Sequence, residues 1–244
     1  MNVVLTYITV TVENNCYRGG IEIKSTVATD SVGSVSSILI SRKDRSRTGW
    51  TELYTRAIES IEDFNFNLFD ITAISGKSYD YAFDVKAGNN VIESQIIDNI
   101  NCWFDGLFVG NFNEQYIAGS NYKTDTKRNT EVTYVTTLGS RTPYRVSNGL
   151  SNYTTGTSEG LFLKVTSDGK RFIPDIDHSY STQVLDFLSD GTGKILKTHD
   201  GQIWYVSIDN TPATPYNNGF EGMNSVTFSW TEIGDVPVFG AVVE

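Results

Sequence analysis

Histidine and cysteine are scarce in this chain, with two of each among 244 residues. A disulfide framework is therefore excluded, and one bridge between Cys16 and Cys102 is the most that can form. The same scarcity argues against a zinc site, which takes three or four such ligands. No apolar run approaches the roughly 18–20 residues of a membrane-spanning helix, and the N-terminal residues do not resemble a signal peptide. We expect no metal, no cofactor and no membrane insertion.

Positive charge is in short supply as well. The 19 Lys and Arg residues stand against 29 Asp and Glu residues, which gives a formal net charge of −10 at pH 7. Proteins that grip nucleic acid need clustered cations to neutralise phosphates, and anionic membrane surfaces attract basic segments. We therefore expect no sequence-specific nucleic-acid binding and no attachment to an anionic membrane.

The chain is rich in segments that alternate apolar and polar residues. Residues 203–208 (IWYVSI) are aromatic and β-branched, and residues 225–231 (SVTFSWT) alternate almost strictly. A period of two with these residue types is typical of half-buried strands. The Asp-Gly pairs at 168–169 and 200–201 favour hairpin turns, because both central residues of such a turn need a positive φ. The sequence predicts an all-β chain of sandwiches or barrels.

One helix is expected among these strands, over residues 179–189. Ser179 or Ser181 can cap its start, and Gly191 follows soon after its end. Its apolar stripe at helical spacing consists of Val184, Leu185 and Leu188. The segment 52–61 is compatible with either a weak helix or a strand.

A polar, glycine-containing break near residues 86–95 predicts a boundary between two domains. We expect an N-terminal β-sandwich over residues 1–92. A C-terminal β-barrel or sandwich, with the short helix, is expected over residues 93–244.

The chain offers few residues for catalysis. His178 lies among acidic residues just before the expected helix, where acids favour a helix start, so a capping and solvated cluster is the interpretation. Residues 190–194 (DGTGK) lack the spacing of a phosphate-binding loop, and no Gly-x-Ser-x-Gly motif is present. Cys102 is expected as a buried small hydrophobe. We expect no catalytic residue, although the many acids leave a carboxylate pair for glycoside hydrolysis open.

Tyrosines and one basic stretch are the candidates for contacts with other proteins. Residues 42–47 place four cations in an acidic chain; a solvated hairpin tip is the simplest interpretation, and contact with an acidic subunit is the alternative. Tyrosine in polar surroundings suits protein interfaces, and it can also stack on a sugar. The predicted interface residues are Arg42, Lys43, Arg45, Arg47, Trp50, Tyr122, Tyr144, Tyr153 and Tyr216. The tryptophans expected in cores are Trp103, Trp204 and Trp230.

The N-terminal part resembles a fibronectin type III-like module. The resemblance rests on four segments: SILISRK at 37–43, GWTEL at 49–53, FDITA at 69–73 and KSYDYAFDV at 77–85. A strand, a Trp after a turn and a Tyr-x-Tyr strand after a Gly turn are the marks of such modules. The resemblance implies a sandwich of short strands with one tyrosine face inward.

The C-terminal part is similar to bacteriophage tail-tip proteins of the distal-tail and tail-tube-like kind. The best-matching element is the hairpin Leu196-Lys197-x-x-Asp200-Gly201-x-x-Trp204-x-Val206. The other matching segments, in order, are 104–109, 121–123, 137–144, 152–153, the helix at 184–188 and the strand at 226–232. The resemblance implies a β-barrel or sandwich with one short helix that assembles as a ring.

In function, the resemblance implies a non-enzymatic structural subunit at the tail tip or baseplate around the DNA path. It would be assembled in the host bacterial cytoplasm and located in the virion tail. The implied partners are further copies of this chain, with a hexamer as one candidate, and other tail proteins (tube, hub or receptor-binding protein). Two alternatives stay open: a carbohydrate-binding adhesion module at a cell surface, and a polysaccharide-degrading enzyme.

Overall fold

Contacts group the chain into two compact units. The computed structural model describes residues 1–166, 172–173, 175–210, 213–215, 224–237 and 242–243. The first unit comprises residues 1–120, 195–204 and 235–244, and the second comprises residues 121–194 and 205–234. The expected boundary at residue 92 lies within the strand Asn90–Cys102. The division into domains 1–92 and 93–244 stays a prediction.

The described residues up to Cys102 form eight strands and one short 3-10 helix. The strands are β1 (Asn2–Val4), β2 (Ile8–Asn15), β3 (Gly20–Val27), β4 (Ser37–Asp44), β5 (Thr51–Ala57), β6 (Phe66–Asp70), β7 (Lys77–Ala87) and β8 (Asn90–Cys102), and the 3-10 helix is Ile61–Phe64.

The described residues after Cys102 form ten strands and one α-helix. The strands are β9 (Leu107–Gly110), β10 (Gln115–Val135), β11 (Tyr144–Phe162), β12 (Lys164–Val165), β13 (Phe172–Ile173), β14 (Lys194–Thr198), β15 (Ile203–Asn210), β16 (Ala213–Pro215), β17 (Asn224–Gly234) and β18 (Val242–Val243), and the helix is α1 (Ser179–Ser189).

Two antiparallel sheets of the first unit form a sandwich. Their strand orders are β1-β2-β3-β6-β18 and β5-β4-β7-β8. The chain therefore places β2 and β3 in one sheet, crosses for β4 and β5, returns for β6 and crosses again for β7 and β8. This alternation is that of immunoglobulin-like sandwiches, in which strands A, B and E face strands C, F and G. The expected N-terminal sandwich is confirmed.

Alternation along these strands builds the core of the sandwich. Ile8, Val10 and Val12 are fully buried along β2, and Tyr81 and Phe83 are fully buried along β7. Each such apolar side chain contributes about 1.5–3 kcal/mol relative to exposure. The period of two in the sequence therefore corresponds to one face of each strand turned towards the opposite sheet.

Tyr79, near the start of β7, ties the preceding turn to this core. Its side chain is buried, and its hydroxyl accepts a hydrogen bond from the backbone N–H of Ile74 at 2.9 Å. Gly76 between them has a φ of 79°, a conformation that glycine adopts without steric cost. A tyrosine in this place is a feature of immunoglobulin-like sandwiches, and it accounts for the Tyr-x-Tyr pattern of the sequence.

A buried ion pair connects the two sheets. Nη1 of Arg42 lies 2.6 and 2.8 Å from the two carboxylate oxygens of Asp70. The hydroxyls of Tyr81 and Thr72 also donate to this carboxylate, each at 2.8 Å. Burial opposes ionisation, but Arg42 and these hydrogen bonds outweigh it and lower the pKa of Asp70. The buried carboxylate of Asp70 therefore has both a counter-charge and hydrogen-bond donors, which burial of a charge requires.

A buried lysine on β14 stabilises the backbone at the end of the sandwich. Nζ of Lys197 donates to the carbonyl oxygens of Gly19, Ile71 (2.5 Å) and Ala73 (3.3 Å). Burial lowers the pKa of Lys197 to about 8. The side chain thus satisfies three carbonyl groups that would otherwise lack partners, while its own charge is disfavoured.

The remaining large sheet closes into a barrel of six strands. The order around the ring is β9-β10-β11-β17-β15-β14, and it closes through pairing of β11 with β17 from Thr155↔Thr231 to Leu161↔Ser225. β16 lies beside β17 as an additional strand. Closure removes the unpaired edges of a sheet. The expected C-terminal barrel with one short helix is confirmed.

Trp230 fills the interior of the second unit. It is 1% exposed, and its Nε1 donates to the hydroxyl of Ser158 at 3.0 Å. Gly156 lies directly opposite it on β11, and a Cβ at this glycine would come within 2.4 Å of the indole ring. The barrel wall therefore needs a glycine here, and the prediction that Trp230 lies in a core is confirmed.

Helix α1 has the predicted bounds, but its start is capped differently. The carboxylate of Asp175 accepts the backbone N–H groups of Tyr180 at 2.9 Å and Ser181 at 2.8 Å. The N-cap residue is His178, with a φ of 57°. The prediction of a serine cap is wrong, because a carboxylate from outside the helix already accepts these first N–H groups.

Two of the predicted core tryptophans are not in a core. Trp103 is 59% exposed, because it lies between Cys102 and Phe104, which are both buried; its backbone groups are hydrogen-bonded to the side-chain amide of Asn14 at 2.8 and 3.0 Å. Trp204 is half-buried.

The segment 52–61, for which the sequence allowed a helix or a strand, is mainly strand, in β5. A turn at Asp200-Gly201 is confirmed, with a φ of 87° at Gly201, but Asp200 does not have the positive φ that was expected of both central residues. The 168–169 turn lies outside the described residues.

Replacing Arg42 should destabilise the protein far more than replacing an exposed cation. Arg42→Met leaves the Asp70 carboxylate buried without a counter-charge, and we expect a loss of about 3–5 kcal/mol in the free energy of unfolding. Lys24→Met removes a surface ion pair with Glu13 and Glu22 and should cost less than about 1 kcal/mol. Urea titration followed by circular dichroism measures both; equal losses would contradict a special role for the buried pair.

Lys197 should make stability rise with pH in alkaline solution. The pKa of this lysine is about 8 in the folded chain and 10.5 as the ordinary value, so the unfolded state binds more protons between these limits. The free energy of unfolding should then increase by roughly 1 kcal/mol per pH unit in that window. Urea titrations from pH 7.5 to 10 test this. The slope should disappear in Lys197→Met and persist in Lys24→Met; an unchanged slope in Lys197→Met would refute it.

Candidate assembly surfaces

The hairpin formed by β10 and β11 extends beyond the strands that pair with it, β9 and β17. β10 has 21 residues and β11 has 19, whereas β10 pairs with β9 only from Gln115 to Ala118 and β11 pairs with β17 only from Thr155 to Leu161. Among the described residues, 128–147 therefore have no third strand beside them. We call residues 128–147 the arm. A two-stranded ribbon of this kind is marginally stable in water by itself.

Large apolar side chains of the arm lie in solvent. Leu138 at the tip is fully exposed, and Tyr134 and Tyr144 are 65% and 62% exposed. Val135 and Val146 are also exposed. A soluble monomer rarely leaves such a group of apolar side chains uncovered, so the arm has the composition of an interface.

The charge of the arm is opposite to that of the rest of the chain. The arm contains Arg128, Arg141 and Arg145 against the single acid Glu131, a net charge of +2, which leaves −12 on the other residues. Arg128 donates to the side-chain oxygen of Asn152 at 2.6 Å. Arg141 and Arg145 are exposed and form no ion pair with any described residue. Both are therefore able to meet an acidic surface.

The second unit also carries a shallow groove of about 420 Å³. Its residues come from β10, β11, β15 and β17: Asp125, Thr126, Lys127, Thr155, Gly156, Thr157, Asp209, Ser229, Trp230 and Thr231. We call it the threonine groove. Asp125 is ion-paired with Lys123 at 2.8 Å, and Asp209 accepts the hydroxyl of Thr231 at 2.9 Å. Neither carboxylate lies in the apolar surroundings that a proton-donating general acid requires.

The predicted basic stretch is divided between the interior and the surface. Arg42 is bound to Asp70 inside the first unit. Lys43 lies over the ring of Trp50 at 5.9 Å, and Arg45 contacts Asp80 at 3.5 Å. Arg47 is exposed, in the turn between β4 and β5. The hairpin-tip interpretation thus holds for the end of the stretch, while Arg42 stabilises the fold.

The predicted interface tyrosines are distributed unevenly. Tyr144 and Tyr153 are exposed on β11, and Tyr122 on β10 is half-buried. Tyr216 lies outside the described residues. Tyr134 was not among the candidates, although its surroundings are as polar and it is more exposed than Tyr153.

A second uncovered apolar group, also missed from the sequence, lies on β8. Val91, Ile92 and Ile96 are 50%, 44% and 55% exposed. β8 is an edge strand, and its pairing with β7 shifts register between Lys86 and Val85. The apolar pairs at 91–92 and 96–97 are the sequence signal, but a buried strand can give the same pairs.

The first unit contains a cavity of about 410 Å³. Its lining residues are Tyr17, Arg18, Phe108, Asn113, Glu114, Gln115, Tyr116 and Ile117. The amide atoms of Gln115 are buried and have no hydrogen-bond partner among the described residues. Tyrosines beside amides and charged groups are the residue types that hold a sugar. Burial raises the pKa of Tyr116 to about 12, so this phenol stays a neutral hydrogen-bonding group.

Residues for metal binding or nucleophilic catalysis are not brought together in the part of the chain that the structure describes. Those residues contain no cluster of three His, Cys, Asp or Glu side chains fit to hold a metal ion. Cys102 is buried, as predicted, and burial raises the pKa of its thiol to about 12, which suppresses the reactive thiolate. No described helix has the length and apolarity to cross a bilayer.

No family model matches the chain, and neither does any curated protein. Among solved structures, a chain of the virion of a native gene transfer agent (GTA) particle matches with a TM-score of 0.33 and 15% identity, over 57% of this chain and 95% of that one. A chain of the tail of an empty GTA particle with C6 symmetry matches with a TM-score of 0.32 and 16% identity, over 54% and 93%. This chain is structurally similar to virion and tail components of such particles, and no family is assigned.

Proposed function

We propose that this chain is a non-enzymatic structural subunit of a phage-like virion tail, part of a ring at the tail tip or baseplate around the DNA path. One observation carries the proposal: the arm exposes Tyr134, Leu138 and Tyr144 on a ribbon without a third strand. Such a ribbon is expected to be ordered by a partner that covers it. The resemblance of the hairpin at 196–206 to tail-tip proteins supports the same role.

A ring requires contacts between unlike surfaces of identical subunits. A heterologous contact repeats from copy to copy and closes when the rotation between copies returns to its start. A ring of six copies is one candidate. The net charge of −10 suits a wall past which DNA moves, because such a wall should not hold phosphates.

We place the protein in the virion tail, assembled in the bacterial cytoplasm. In this proposal residues 93–244 form the ring-building domain. Residues 1–92 form an outward module on which another tail protein, such as a tube, hub or receptor-binding protein, docks. The surface that would serve this docking is the hairpin tip with Lys43, Arg47 and Trp50.

The purified chain should form an oligomer with a central hole, and the arm should be needed for it. We expect the double variant Tyr134→Ser with Tyr144→Ser to shift the mass in light scattering towards the monomer, because it removes two exposed aromatic anchors. Tyr17→Ser, at a tyrosine outside the arm that is 51% exposed, is the control and should leave the mass unchanged. A wild-type chain that remains monomeric at every concentration, with no rings in electron micrographs, would refute the proposal.

A second candidate function is carbohydrate binding at the cavity of the first unit, which is favoured by Tyr17, Tyr116 and Glu114 in its lining. If this function is right, a glycan array should give a signal that Tyr17→Ala removes and Tyr134→Ala retains. A blank array for the folded wild-type chain would exclude it.

A further inference from the structure

We propose that the arm of one copy binds in the threonine groove of a second copy of the same chain. This contact rests on the proposed function and specifies how neighbouring subunits are joined. It joins two different surfaces, so each copy offers one arm and one groove.

The groove has the chemistry of a receptor for tyrosine and arginine. Asp209 supplies negative charge, whereas Asp125 is ion-paired with Lys123 at 2.8 Å, and Lys127 is the one cation in the lining. Hydroxyls of Thr155, Thr157, Ser229 and Thr231 supply hydrogen-bonding groups, and Gly156 contributes only backbone to the wall between them. A shallow groove lined by hydroxyls and by Asp209 fits a segment that carries arginine and tyrosine.

The arm has the complementary chemistry. Arg141 and Arg145 flank the exposed Tyr144, and neither arginine is ion-paired with a described residue. Tyrosine and arginine are the residue types enriched among the anchors of protein interfaces. Arginine also pairs with carboxylates through two parallel hydrogen bonds, which suits Asp209 at the groove.

The geometry of the hairpin excludes the arm's own groove as its receptor. The groove lies at the base of the arm, where Asn129 donates to the hydroxyl of Thr155 at 2.7 Å. From there the ribbon runs roughly 30 Å to its tip, at about 3.3 Å per residue. An extended ribbon cannot fold back on its own base without breaking its ladder of hydrogen bonds, so the receptor is a groove on another molecule.

The net negative charge of the residues outside the arm favours a second copy of this chain as the partner of the arm. Residues outside the arm carry −12 and the arm carries +2. Arms therefore repel each other and are attracted to the body of another copy. This disfavours a symmetric arm-to-arm dimer and favours a head-to-tail contact that repeats around a ring.

The experiment separates the two surfaces in two variants. The arm variant carries Arg141→Glu and Arg145→Glu, and the groove variant carries Asp209→Arg. Each variant alone should be monomeric in light scattering, with association weakened at least tenfold. An equimolar mixture should form a 1:1 dimer, because the intact arm of the groove variant enters the intact groove of the arm variant.

The controls identify which proposal fails. Lys164→Glu reverses an exposed cation outside the arm and groove, and it should assemble like the wild type; circular dichroism verifies that every variant folds. If the wild type forms rings and either variant also does, the arm–groove contact is wrong while the proposed function stands. If both variants are monomeric and their mixture stays monomeric, the arm does not use this groove. If the wild type never assembles, the proposed function fails as well.

Discussion

Backbone hydrogen bonding is the constraint on which the arrangement of this protein depends. β9 has four residues, so it satisfies only the start of β10, and β17 satisfies only the end of β11. The remaining residues of β10 and β11 pair with each other, because backbone N–H and C=O groups need hydrogen-bond partners. The arm is the result of that mismatch. Its apolar side chains have no second layer within the described chain, and the proposed contact with a neighbouring molecule rests on this observation.

Charges inside and outside the molecule have different roles. Arg42 is half-buried and bound to the buried Asp70, and Lys197 is buried and bound to backbone carbonyl groups, so both act within the first unit. Arg141 and Arg145 are exposed in an acidic protein, so their electrostatic attraction is directed outwards. A basic residue in the sequence therefore does not by itself mark a contact surface; the position of its nearest carboxylate decides its role.

Some features followed from local sequence because they depend on local physics. The strand period, the Asp200-Gly201 turn and helix α1 all depend on residues near each other in the chain, and the predictions for them were right. The tryptophans were not equally predictable. Trp230 is buried against Gly156, which is distant in sequence, so no local pattern reports its partner. Trp103 is exposed between the buried residues Cys102 and Phe104, so the period of two along the chain accounts for its position.

The sequence alone determined that this is an all-β protein with one short helix, a surplus of acid and few residues suited to metal or nucleophilic chemistry, because composition and periodicity act residue by residue. The tertiary structure decided which strands close the barrel, where the hairpin leaves it and which cations remain exposed. Those outcomes depend on the relative lengths of strands that are far apart in the chain, and on long-range partners such as Asp70 for Arg42. The arm and the threonine groove are features that only the tertiary structure shows.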